Sequence, residues 1–232
     1  MDRRGFLTAS LGLPVFSPTP TLAAGAGAGT VVLELFTSQG CSSCPPADAL
    51  LGELSRRPNV IGLAWHVDYW NGSGWRDPYA KREWTERQKS YASHLRGEVY
   101  TPALVVNGAE LVVGSDRAAV LRTIDKMIPP PLTVAMRRMS AGVEVTIGAS
   151  ATPVMGVFAV YDQEQTTQVG AGENLGRRLV EYRVVREATR LGPLTAQFIL
   201  PVVADRQGAV LLVQDASWRV IGAADLPPAS LS

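Results

Sequence analysis

The six residues Cys41-Ser42-Ser43-Cys44-Pro45-Pro46 constrain the fold of this chain more than any other stretch. A helix tolerates proline only in its first turn, so the tandem prolines fix a helix start at Ser43 to Pro45. The flanking residues agree. Val31-Val32-Leu33-Glu34-Leu35-Phe36 is a nearly unbroken apolar run and predicts a strand buried on both faces. Ala47, Leu50, Leu51 and Leu54 recur at helical spacing, and Pro58-Asn59 closes that helix. The only two cysteines of the 232-residue chain therefore sit in a strand–turn–helix unit. Cys41 falls just outside the helix and Cys44 at its mouth.

Three chemistries suit such a pair. The first is a redox-active dithiol. It needs an accessible thiolate and a second thiol near enough to resolve a mixed disulfide. The positive end of a helix favours the thiolate, and two intervening residues keep the partner within reach. This reading makes Cys41 the nucleophile and Cys44 the resolving thiol. The second is metal binding. Two cysteines do not close a tetrahedral zinc site, and the chain adds only His66 and His94. Copper(I) bound by Cys41 and Cys44 remains chemically open, because thiolates select soft ions. The third is a structural clip, although so small a loop removes only about 2 kcal/mol of unfolded-state entropy.

Elsewhere the chain divides at Pro129-Pro130-Pro131. Before it, helical and strand patterns alternate. Val60 to Val67 predicts a second buried strand, and Asp77-Pro78 predicts a helix start running to about Leu95. Two apolar runs around Asn107-Gly108 predict a hairpin, and Arg117 to Met127 a last helix. After the prolines, about seven short strands predict a small β-sandwich. The expected organisation is an export signal over residues 1–28, an α/β domain over residues 29–128 with a Trp-rich helical insertion at 68–98, and an all-β, sandwich-like domain over residues 132–232.

The first 28 residues have a basic start, an apolar middle and an Ala/Gly-rich end, the plan of an export signal. Arg3-Arg4-Gly5-Phe6-Leu7 resembles the twin-arginine signal, with general secretory export as the alternative. The mature chain is then expected in the periplasm or outside the cell, where disulfides persist. A net charge of +1 without basic runs gives no electrostatic argument for nucleic acid. No apolar stretch in the body of the chain is long enough to predict a membrane span.

The strand, the Cys-x-x-Cys and the helix, followed by "YTPALVVNGAELVVGSDRAAVLRTI", resemble the thioredoxin superfamily. "LELFTSQGCSSCPPAD", "HVDYWNGSGWRDPYAKREWTERQKSYA", "VYTP" and "GENLGRRLVEYRVVR" are similar to a family of secreted bacterial thioredoxin-like proteins that carries a domain-of-unknown-function label. The resemblance implies a thioredoxin-like fold with an appended β domain. It also makes Pro102 a cis-proline beside the cysteines, with Thr101 before it. It implies a thiol–disulfide oxidoreductase without an organic cofactor, whose partners are protein thiols or disulfides of the cell envelope. A copper(I) chaperone or an interaction protein with a structural disulfide is the alternative. Glu34 and His66 are the candidate proton carriers, Glu34 shifted by one position from the thioredoxin spacing. Asp48 is expected to oppose thiolate formation slightly. Thr101, Tyr100 and Trp70 are the candidate substrate contacts. Trp65, Trp70, Trp75 and Trp84 either form an aromatic groove or pack the insertion onto the sheet. Arg76, Arg82, Arg87 and Lys89 are expected on a solvated helix face.

Overall fold

The computed structural model describes residues 30–72 and 74–229. The expected export signal lies outside them. The apolar runs become strands β1 (Val31–Thr37), β2 (Val60–His66), β3 (Ala103–Val106) and β4 (Glu110–Val113). The helices are α1 (Pro45–Leu54), α2 (Arg82–Leu95) and α3 (Arg117–Lys126). The second half contributes β5 (Val134–Met139), β6 (Gly142–Ile147), β7 (Met155–Gln168), β8 (Arg178–Leu191), β9 (Gln197–Leu200), β10 (Gln207–Gln214) and β11 (Val220–Leu226).

These elements do not assemble into an α/β thioredoxin fold with a separate β domain. The molecule is mostly β, built on one mixed sheet of eight strands in the order β11-β10-β7-β8-β2-β1-β3-β4. The join is at β8, which pairs in parallel with β2 at Ala64 and Val184. The physical reason lies in the side chains of the joining strands. Val157, Ala159, Tyr161, Val185, Val210 and Leu212 share one apolar core with Val32, Phe36, Leu63 and Trp65. That core runs unbroken along one face of the sheet, and α2 contributes Trp84 and Tyr91 to it. On the other face, α1 and α3 cover β1 to β3. The three-stranded sheet β5-β6-β9 covers β7, β10 and β11 there through Met136, Val145, Phe158 and Leu211.

The β7–β8 hairpin outgrows the sheet. β10 pairs with β7 only up to Asp162. Beyond that, Glu164–Gln168 and Leu179–Tyr182 pair only with each other among the described strands. A register shift between Val160 and Tyr161 and a left-handed Arg183 (φ 56°) mark where this two-stranded arm begins. The arm lies on α1. At Gly52 a Cβ would stand 2.1 Å from the Tyr182 ring, so only glycine permits that approach. The Arg56 guanidinium sits 5.4 Å from the centroid of the same ring.

The expected helix start at Asp77-Pro78 is displaced to Arg82, with Lys81 as its cap. Asp77 is otherwise engaged. Its carboxylate bonds His66 and accepts the backbone N–H groups of Gln39 and Tyr79. The tryptophans likewise divide. Trp65 and Trp84 meet edge-to-face in the core at 4.8 Å, whereas Trp70 and Trp75 stand beside the cysteine turn.

Candidate functional site

Cys41 and Cys44 are joined by a disulfide, with their Cα atoms 5.5 Å apart. Cys44 caps α1, and its carbonyl accepts the N–H groups of Ala47 (2.8 Å) and Asp48 (3.2 Å). Pro45 and Pro46 have no N–H to offer. The N–H groups that a helix mouth could turn towards Cys41 are therefore absent at Pro45 and Pro46 and already used at Ala47 and Asp48. What the helix end contributes is its dipole, and Ser43 Oγ lies 3.4 Å from Cys41 Sγ.

The peptide bond Thr101-Pro102 is cis. Gly114 lies between Pro102 and the first turn of α1: a Cβ there would stand 2.8 Å from Leu35 and 3.2 Å from Ala47, with Pro102 in ordinary contact at 3.5 Å. Thr101 Oγ1 accepts the indole N–H of Trp70 at 2.8 Å. Trp70 also backs onto Gly40, where a Cβ would stand 2.9 Å from Trp70 Cβ. The cysteine turn and the Thr101-Pro102 peptide are thus linked through Trp70, which packs on Gly40 and bonds Thr101. Tyr100 follows the same strand entry, but its ring packs on the core beside α2, and its carbonyl accepts from Gln88 Nε2.

Both cysteines are 0% exposed. This departs from the outward-facing Cys41 expected of the sequence. The tip of the β7–β8 arm is bonded across the cysteine turn. Asn174 Nδ2 donates to the carbonyls of Gln39 (2.9 Å) and Cys41 (3.0 Å), and Arg177 Nη1 fixes Asn174 Oδ1 at 2.7 Å. Glu173 accepts the N–H of Ser42 at 3.1 Å, and hydrogen bonds from the Ser42 hydroxyl and then its N–H hold the Glu173 pKa below the usual carboxylate range.

Behind the turn lies a buried charge cluster at the ends of β1 and β2. His66 Nδ1 donates to Asp77 Oδ2 at 2.7 Å, and its Nε2 stands 3.8 Å from Glu181 Oε1 on the arm. Burial alone would keep His66 neutral. Asp77 and then Glu181 outweigh it and raise its pKa to about 9. Asp48, on α1, is pushed up to about 7, chiefly by burial and then by Glu181. Burial also raises Glu181, whereas Asp77, although buried, is drawn down by His66. Gln39 links cluster and arm: its Nε2 donates to Glu181 Oε2 (2.7 Å) and Thr167 Oγ1 (2.9 Å), and its Oε1 accepts from Trp75 (2.9 Å).

Glu34 is elsewhere. Side chains alternate along a strand, and Val32, Glu34 and Phe36 face α2, away from α1 and the cysteines. The guanidinium of Arg87 grips the Glu34 carboxylate at 2.7 and 2.9 Å, and Tyr91 donates to it at 2.5 Å. Arg87 is only 4% exposed, contrary to the solvated face expected for it. Glu181, Gln39 and Asn174 were not among the sequence candidates, and Asp48 was expected only to oppose thiolate formation, not to be part of a buried cluster. Asp48 had a legible signal, a carboxylate among apolar residues on the inner face of a helix. The others become neighbours only through the long-range pairing of β8.

Among the described residues no group of three or more His, Cys, Asp and Glu has the arrangement of a metal site, and no helix is long and apolar enough to cross a membrane. Residues 32–214 match the family described as "Protein of unknown function (DUF1223)". The structure is similar to that of AGR_C_4864 from Agrobacterium tumefaciens, with a TM-score of 0.78 and 32% identity over 88% of this chain and 97% of the other. It also shares its fold with HBP35 of Porphyromonas gingivalis, with a TM-score of 0.60 and 15% identity over 90% of this chain and 79% of that one. No curated protein matches the chain. The chain belongs to the DUF1223 family.

Proposed function

We propose that this DUF1223 protein is an exported thiol–disulfide oxidoreductase acting through Cys41 and Cys44. The observation that carries the reading is a helix-mouth disulfide whose turn packs on Trp70, which in turn bonds Thr101 beside Pro102. That local arrangement resembles the dithiol sites of the thioredoxin superfamily, and the resemblance extends to the site rather than to the whole fold. An export signal in residues 1–28 and persistence of the disulfide outside the cytosol fit the same reading.

The exchange balances without an organic cofactor. In the reduced protein the Cys41 thiolate attacks one sulfur of a partner disulfide. A Cys41–partner disulfide forms, and the partner's other sulfur leaves as a thiolate and takes a proton. The Cys44 thiolate then attacks Cys41 Sγ and releases the second partner thiol. Two electrons have passed to the partner and the Cys41–Cys44 disulfide is restored. Run in reverse, the same steps oxidise a partner dithiol. Partners are protein thiols or disulfides of the cell envelope.

The complete burial of both cysteines favours a second reading, a non-catalytic binding module with a structural bridge. One set of measurements separates the two: the Cys41–Cys44 reduction potential, insulin reduction by the reduced protein, and capture of partners by Cys44→Ser. Turnover of insulin, abolished by Cys41→Ser, together with a trapped mixed disulfide, is the outcome expected. A potential below about −300 mV with no turnover would leave the disulfide as a structural bridge.

A further inference from the structure

The Gly170–Arg177 tip of the arm makes contacts of an unusual kind for a hairpin end. It does not simply turn in solvent. Asn174 is fully buried and gives both of its amide hydrogens to main-chain carbonyls on the cysteine turn, those of Gln39 and Cys41. The adjacent Glu173 takes the main-chain N–H of Ser42. Two acceptors and one donor of consecutive backbone are thus occupied. An extended partner segment, approaching its own disulfide to Cys41, would pair with the same three groups.

The rest of the tip is held by its own turn, through the Leu175 N–H on the Gly172 carbonyl and the Gly176 N–H on the Val169 carbonyl. Glu173, Leu175, Gly176 and Arg177 are exposed, and Leu175 is 66% exposed. The arm beneath is a two-stranded ribbon without further partners among the described strands, the kind of element that opens locally at low cost. Its base is fixed by Tyr182 on Gly52 and by Glu181 on Gln39, so opening need not disturb the cores.

We propose that the Gly170–Arg177 tip is an intramolecular latch. It occupies the partner-binding edge of the Gln39–Ser42 turn as a stand-in for a bound polypeptide, and it must lift before the disulfide can be exchanged. The partner it gives way to is an extended polypeptide segment bearing a cysteine or cystine. The latch rests on the oxidoreductase reading for its purpose, but its existence is tested by access to the disulfide alone.

The full chain is oxidised, and its reduction by dithiothreitol is followed by alkylation and mass measurement. A dithiothreitol thiolate attacks one sulfur of the Cys41–Cys44 bond, its second thiolate resolves the mixed disulfide, and two electrons pass to the protein. Asn174→Ala removes its two hydrogen bonds to the cysteine turn and the one it accepts from Arg177, and is expected to speed reduction about tenfold or more. Glu173→Gln, at an exposed position that leaves the fold intact, is expected to speed it a few-fold. Hydrogen exchange in the unaltered protein should find residues 170–177 opening faster than β1 and β10. Rates within twofold of the unaltered protein for both folded variants would overturn the latch. Should Asn174→Ala not fold, Glu173→Gln and the exchange data decide, and tip amides as protected as those of β1 would overturn it. Faster dithiothreitol reduction with no insulin turnover in any form would leave the latch standing and sink the oxidoreductase. Insulin turnover that is unchanged in the folded variants, with unchanged dithiothreitol rates, would do the reverse.

Discussion

Arg87 and Glu34 are two full charges inside an apolar core, with the Trp65, Tyr91 and Trp218 rings around the guanidinium at 5.0 to 5.8 Å. Breaking such a pair from one side leaves the other charge buried and alone, which costs about 3–5 kcal/mol. Glu34→Ala is expected to destabilise the protein by that order, measured by urea unfolding, while the spacing around the disulfide is unchanged. His66 supplies a pH-dependent counterpart. It holds its proton to about pH 9 in the folded protein, against an ordinary value near 6.5. Unfolding between those values releases a proton. The stabilisation is therefore complete below pH 6.5 and is lost as pH rises towards 9, by at most about 1.4 kcal/mol per pH unit. Urea midpoints measured at pH 6.5, 8 and 9 should fall in that order, and His66→Gln should flatten the decline. At this scale the sequence was legible where chemistry is local. The cysteines and Thr101-Pro102 were readable because few residue types suit those positions. Arg87 was not, because a charged residue on a polar-looking helix carries no sign of the acid waiting on a strand 53 residues earlier.

Apolar periodicity located almost every element, since burial on one or two faces is written directly into composition along the strand. Boundaries slipped where a polar side chain found a better partner than the backbone. Asp77 beside Pro78 has the form of a helix cap, yet a histidine and two backbone amides outbid the helix for its carboxylate. The arm was underestimated for a related reason. β7 and β8 are 14 residues each, whereas the sequence predicts strands only over Met155 to Tyr161 and Leu179 to Arg186, because the outer half of β7 is covered on one side alone and reads as polar. Gly52 tests how the arm sits on α1. Gly52→Ala favours the helix intrinsically by about 1 kcal/mol, but a methyl group there meets the Tyr182 ring. The net expectation is a loss of about 1–3 kcal/mol, with faster hydrogen exchange in residues 178–182. Unchanged stability and exchange would mean that Tyr182 can swing aside.

The molecule as a whole differs most from what its parts suggest. A proline triplet and a change from alternating elements to strands alone point to two units, yet β8 inserts between β2 and β7 and one core spans both halves. Strand identity is local information, whereas strand order depends on which edges find each other, and a single sequence records that poorly. One shared sheet predicts one cooperative transition. Tryptophan fluorescence, dominated by the first half, and far-ultraviolet dichroism of both halves should give coincident urea curves. A chain ending at residue 128 is expected to expose Trp65 and fail to fold, and two separated transitions would refute the shared unit.

The neighbour of β2 in the sheet also arrives late. Ala64 waits for Val184, 120 residues downstream. Closing so long a loop before any contact rewards it makes folding slow, as for other chains of high contact order. During synthesis the outer edge of β2 is an unpaired template for other strands. A nascent chain halted anywhere between α3 and β8 therefore carries all of its cysteine chemistry and none of the protection of its own edge.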